Sequence, residues 1–191
     1  MKSKRKSSST TQSILPWLWV LAVLAVAFGF LAWMGKLIGV RSFAFAFQLH
    51  FVLMAVASTS DQALAPQLCS ERFRIRPGEL TLYRRIGVNG FMRLLQRIGW
   101  TRAVMDKNVF DGTRATLPSY EKATRHGENC HTWLFIAVLF PIAWVAFQGW
   151  WDAVLWMGSM NIVFHAYPIC LQRTQRARLQ RLLEMKPNRS R

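Results

Sequence analysis

Two polar pairs stand at helical spacing in an otherwise apolar part of the chain, Glu128-x-x-His131 and Asn161-x-x-x-His165. Residues three or four apart share one helix face, so each pair forms a local unit. A neutral imidazole beside a carboxylate is a competent general base, because the carboxylate fixes the tautomer and stabilises the imidazolium that forms. Glu128 and His131 are therefore expected to act together on a hydroxyl. Asn161 and His165 are expected to donate hydrogen bonds to an oxyanion in a low-dielectric setting. Beyond them, Arg173, Arg176 and Arg178 are candidates to hold the phosphates of a soluble donor. Each group also has a plainer use. Glu128 and His131 suit an interfacial ion pair, Asn161 and His165 can bond helices together, and the arginines can anchor topology.

The elements that must position these groups are long uncharged runs. Residues 14–34 contain no charge over 21 positions, which as a helix is about 31 Å and matches the hydrocarbon thickness. Further uncharged runs cover 42–60, 132–151 and 153–172. Four membrane helices are the reading. The second run alternates large and small residues from Ser42 to Phe51, a period that favours a strand. A lone strand leaves its backbone unsatisfied in lipid, so helix is preferred there, with a re-entrant or surface-lying segment as the alternative. His50 and Gln48 within it are unassigned. Antiparallel packing of the last two spans puts His165 roughly 9 Å and Asn161 roughly 15 Å below the inner surface, at 1.5 Å per residue. Pro141, at a similar depth on the neighbouring span, removes a backbone donor.

The net charge of +16 resembles a nucleic-acid signal until the basic residues are placed. Four Lys/Arg precede the first span, two separate the first from the second, twelve lie between the second and third, and seven follow the fourth. With the N-terminus in the cytoplasm, 23 of the 25 fall inside, as the positive-inside rule asks. Anionic headgroups then account for the charge, and no nucleic-acid partner is implied. The first span is expected to be an uncleaved anchor, since its apolar run exceeds a usual signal core. Cys69, Cys130 and Cys170 are odd in number, which argues for reduced thiols.

Between the second and third spans lies a cytoplasmic segment, 71–129. Within it, residues 89–99 have helical spacing, with Phe91, Leu94, Leu95 and Ile98 on one side and Arg93, Gln96 and Arg97 on the other. Such a helix is expected in the headgroup plane. Residues 106–118 hold Asp111-Gly112 and Leu117-Pro118 and read as a loop. Glu128-x-x-His131 is half of a carboxylate di-iron pattern, but the second half is missing and only nine acidic residues exist. No metal is expected. G-x-S-x-G, the P-loop and G-x-G-x-x-G are also absent.

The ordered set Glu121-x-x-Thr124-Arg125-x-x-Glu128-x-x-His131-x-Trp133 precedes one apolar hairpin. After it come Asn161-x6-Pro168-x3-Gln172-Arg173-x-x-Arg176-x-Arg178-Leu179. Together these resemble the glycosyl-4,4'-diaponeurosporenoate acyltransferases of staphyloxanthin-type carotenoid synthesis, over roughly residues 43–183. The resemblance implies transfer of a fatty acyl group to a sugar hydroxyl of a glycosylated membrane lipid. It implies Glu128 and His131 as catalytic residues. Asn161, Gln172, Arg173, Arg176 and Arg178 follow as site or donor-binding residues.

The expected protein is thus all-α and polytopic, with about four transmembrane helices and a cytoplasmic amphipathic interfacial helix. It divides into a basic N-terminus (1–13), a membrane domain (14–172) and a basic C-terminal arm (173–191), both termini being cytoplasmic at the cell membrane. The expected activity is acyl transfer to a lipidic acceptor, with no bound cofactor and acyl-CoA or a similar thioester as co-substrate. Expected partners are the bilayer and the lipid substrate, with no nucleic acid; protein partners are left open. The rival readings are a non-catalytic membrane scaffold or assembly factor and, more remotely, a small transporter.

Overall fold

The computed structural model describes residues 9–64, 73–100 and 109–184, and these are predominantly helical with no strand among them. Three helices are long and apolar enough to cross a membrane, Trp17–Gly39, Arg114–Phe147 and Trp151–Glu184. A fourth apolar helix, Phe43–Thr59, is shorter. The architecture is that of an all-α membrane protein. Exposure supports lipid contact: Val26 is 73% exposed, Phe140 74% and Phe147 91%, a burden that hydrocarbon removes and water does not. Cys69 and residues 185–191 lie outside the described residues, while Cys130 and Cys170 form no disulfide among them.

The chain divides into two compact units, Met1–Pro66 with Val138–Met160, and Gln67–Ala137 with Asn161–Arg191. In the first, α1 (Ser9–Met34) runs into a wide π-turn at Gly35–Gly39, and α2 follows at Phe43–Leu64. Ser42 starts α2, its hydroxyl accepting the Phe45 N–H at 3.1 Å and donating to the Gly39 carbonyl at 2.8 Å. The strand-like alternation of Ser42 to Phe51 resolves as helix. Phe43, Phe47 and Phe51, four apart, form an exposed aromatic ladder with ring centroids 6.3 and 5.3 Å apart. Phe45, Ala46 and Leu49 turn inward against Leu31, Val145, Ala153 and Met157. Fully buried Ala46 and Ala153 let the helices approach closely, which is how packing rather than hydrophobicity holds helices in lipid. His50 is buried in this unit, its Nδ1 meeting the Ala46 carbonyl at 2.7 Å. A carbonyl only accepts, so that nitrogen carries the proton.

The second unit contains α3 (Glu79–Arg85), α4 (Val88–Arg97), the first part of α5 (Leu117–Phe147) and α7 (Tyr167–Glu184). Gly87 joins α3 to α4 at φ +84°, a left-handed conformation that favours glycine. The helix expected at the interface, α4, starts one residue earlier than its spacing suggests and presents a different inward face. Val88 is buried and the Phe91 ring meets the Tyr167 ring tilted by 46°, centroids 5.2 Å apart, whereas Leu94 and Ile98 are exposed. The Tyr167 hydroxyl donates to the Ile86 carbonyl at 2.8 Å, tying α7 to the α3–α4 corner.

The loop before α5 forms around Asp111, whose carboxylate accepts from the Thr113 N–H, the Thr113 hydroxyl and the Thr116 hydroxyl at 2.7–2.8 Å. Those hydrogen bonds, led by the Thr113 hydroxyl, hold its pKa down at about 2. The expected loop residues 106–108 lie outside the described residues. At the far end of α5, Gly149 turns the chain at φ +72° into α6 (Trp151–Asn161). A second π-turn, Ile162–Ala166, then leads into α7. The expected boundary between membrane domain and basic arm at residue 172 falls inside α7, which continues unbroken to Glu184. Thr174, Arg176, Ala177 and Leu179 are buried there.

Candidate functional site

All the residues singled out for chemistry lie in the second unit, on α5, the last residue of α6, the second π-turn and α7. Their most connected member is Arg173. Its Nε and Nη2 grip the Glu79 carboxylate at 2.8–2.9 Å, and its Nη1 reaches Glu128 Oε1 at 2.8 Å. The Tyr83 hydroxyl accepts from Arg173 Nε at 3.1 Å and donates to Glu79 Oε2 at 3.1 Å. Arg176 completes the set. It is fully buried, donates from Nε to the Phe73 carbonyl at 2.9 Å, and pairs through Nη2 with the second oxygen of Glu128. Its guanidinium also lies over the Phe73 ring, 5.3 Å from the centroid. Two guanidiniums and two carboxylates balance to zero charge, which is what makes burial of both arginines tolerable.

Burial pushes the Tyr83 hydroxyl up to about 12, against the opposing charge of Arg173 and with the help of Glu79, so it remains a donor. Burial would also raise Glu79, but hydrogen bonding to Arg173 and the Arg76 N–H outweighs it. The Glu79 carboxyl is held below the usual carboxylate range. A second layer repeats the device. Glu121 accepts from Arg125 Nε at 2.9 Å and from Gln180 Nε2 at 3.2 Å, and Tyr120 donates to Gln175 at 3.0 Å. Gln172 lies against Gly127, where an added Cβ would stand 2.9 Å from its Nε2.

The histidines form a separate centre. His131 Nδ1 and His165 Nδ1 are 3.3 Å apart, with ring centroids 5.6 Å apart and tilted by 45°. Two facing imidazole nitrogens attract only when one carries a proton and the other offers a lone pair. His165 is fully buried, whereas His131 is partly exposed and so is the member a substrate can meet. Asn161, 2% exposed, donates from Nδ2 to the Phe135 carbonyl at 3.2 Å. A carbonyl partner fixes the amide orientation, leaving Asn161 Oδ1 buried with no hydrogen-bond partner among the described residues.

The expected couples are thereby re-paired. Glu128 does not orient His131; both of its oxygens are taken up by Arg173 and Arg176. Charge-assisted bonds to two guanidiniums outcompete a neutral imidazole three residues away. Asn161 and His165 do not act as one face of a regular helix. Each reaches α5 instead, at Phe135 and His131. The carbonyl that Asn161 meets belongs to Phe135, two residues before the Ala137 carbonyl that Pro141 leaves without its donor. Arg173 and Arg176 are expended on carboxylates, and of the three basic candidates only Arg178 is exposed. Glu79 escaped the sequence reading, although a signal existed. It is the only acidic residue between positions 72 and 105, a stretch carrying eight arginines.

A family model described as glycosyl-4,4'-diaponeurosporenoate acyltransferase matches residues 70–185, a range that contains the arginine–carboxylate network and the histidine pair. No curated protein and no solved structure matches the chain.

Proposed function

We propose, since the chain belongs to the glycosyl-4,4'-diaponeurosporenoate acyltransferase family, that it transfers a fatty acyl group to a hydroxyl of a membrane-lipid acceptor. A glycosyl-4,4'-diaponeurosporenoate is the acceptor class in that family's description, and an acyl-CoA or similar thioester is the donor. The observation that carries the mechanism is the His131–His165 contact. If His131 donates its Nδ1 proton to His165, its Nε2 keeps a lone pair and can serve as a general base. His165 then does for His131 what the sequence assigned to Glu128. Asn161 Oδ1, buried and without a hydrogen-bond partner among the described residues, is left as an acceptor for a hydroxyl of the substrate.

In this reading His131 Nε2 takes the acceptor's hydroxyl proton as its oxygen attacks the thioester carbonyl. That attack forms the ester C–O bond, and the tetrahedral intermediate then collapses by re-forming the carbonyl and cleaving the C–S bond. The proton passes from the imidazolium to the departing thiolate. Glu128 is a positioning residue here, joining α5 to α7 through Arg173 and Arg176.

The test separates the two centres. His131→Ala should reduce transfer of labelled acyl groups to glycolipid extract by on the order of 10²–10⁴-fold, with thermal stability in detergent near that of the parent. Glu128→Gln leaves buried Arg176 uncompensated and should cost about 3–5 kcal/mol of stability. Undiminished transfer by His131→Ala rejects the mechanism. A scaffold would instead lose stability with both substitutions and show no change in cellular lipid products.

A further inference from the structure

The arginines of the second unit include three that are matched to carboxylates and three that share a cavity. Arg125, Arg173 and Arg176 are matched to carboxylates. Arg84 on α3 and Arg178 and Arg181 on α7 have no carboxylate partner among the described residues, yet the three converge on one cavity of about 260 Å³. Tyr83, Asn89 and Thr174 share its lining. Arg178 and Arg181 are three apart on one helix, so their like charges repel across the same face. An anion between them would remove that repulsion and give the guanidinium forks the planar acceptors they fit. Topology explains why arginines collect at this end of the chain. It does not explain why three unpaired ones surround a concavity while their neighbours on α7 are neutralised. The same corner exposes Leu82, Ile86, Leu94 and Ile98, which sets it at the level where lipid phosphates lie.

We propose that this cavity is a phosphate-binding site, taking the phosphate ester of a lipid headgroup or the phosphates at the nucleotide end of a soluble donor. The assignment stands apart from the acyl-transfer reading, since it requires only the three arginines and the space between them.

Binding to the full chain in detergent can be followed by calorimetry with three probes: inorganic pyrophosphate, adenosine 3',5'-bisphosphate and a short-chain phosphatidic acid. Saturable binding of at least one is expected. Arg84→Gln with Arg178→Gln and Arg181→Gln should weaken it at least roughly tenfold, the loss of one or more charge-assisted hydrogen bonds. The single Arg178→Gln variant should show an intermediate loss. Preference for the bisphosphate assigns the soluble source, and preference for the phosphatidic acid assigns the lipid. Arg93→Gln with Arg97→Gln, exposed on α4 outside the cavity, is the control and should change nothing. The proposal is overturned if no probe binds saturably, if the triple variant binds like the parent, or if the control weakens binding equally.

Discussion

Arg173 joins carboxylates from two different helices, Glu79 on α3 and Glu128 on α5, so one side chain holds three elements in register. Its partner Glu79 makes that junction sensitive to acid. Because Glu79 is held below its ordinary range in the folded chain, the folded state binds fewer protons than the unfolded one as pH falls. The stabilisation is complete above the usual carboxylate value, about 4.3, and is lost as pH drops through the lower folded value. Thermal stability in detergent should therefore fall on acidification. Glu79→Gln should be less stable than the parent near neutral pH but lose less on going to acid; equal pH dependence in the two proteins would remove Glu79 from the account. At the same scale, Arg176 keeps one buried nitrogen, Nη1, without a partner among the described residues. That orphan is a cost of order 1–3 kcal/mol, accepted for a guanidinium that binds Glu128, the Phe73 carbonyl and the Phe73 ring together.

On α5, Gly127 faces Gln172 of α7. Glycine inside a helix costs about 1 kcal/mol relative to alanine, so its place here reflects contact rather than propensity. A Cβ at 127 would meet only the end of the Gln172 side chain, which can rotate away. Gly127→Ala is thus expected to raise thermal stability slightly while displacing the Gln172 carboxamide. Acyl transfer should fall if Gln172 contacts donor or acceptor, and a destabilised variant would instead show that the close fit itself is needed. The helices themselves were readable from uncharged runs, because length and hydropathy are local properties of the chain. Glu128, His131, Asn161 and His165 were readable by type and by depth for the same reason. Their pairing was not. Which side chain meets which depends on how far α5 slides along α7 and on a wide turn at Ile162–Ala166, neither of which is written in i, i+3 or i, i+4 spacing.

Across the whole chain, basic residues crowd the segments before the first span, between the second and third, and after the last. Of the two outside these segments, Lys36 and Arg41, the latter is neutralised by Asp152 at 3.0 Å in an exposed pair worth about 0–1 kcal/mol. Such a distribution predicts both termini on the cytoplasmic side. Green fluorescent protein fused after Arg191 should fluoresce and alkaline phosphatase at the same point should be inactive; the opposite result would invert the topology. The π-turn that carries His165 has a consequence for the residues beyond it. One surplus residue in a helix advances every later side chain by on the order of 100°, the rotation of a single step at 3.6 residues per revolution. A single helical wheel drawn through Asn161 and Arg176 therefore misplaces the arginines. The histidine that faces His131 and the guanidinium that grips Glu128 belong to two wheels offset in phase, and the offset is what aims both at the same neighbouring helix.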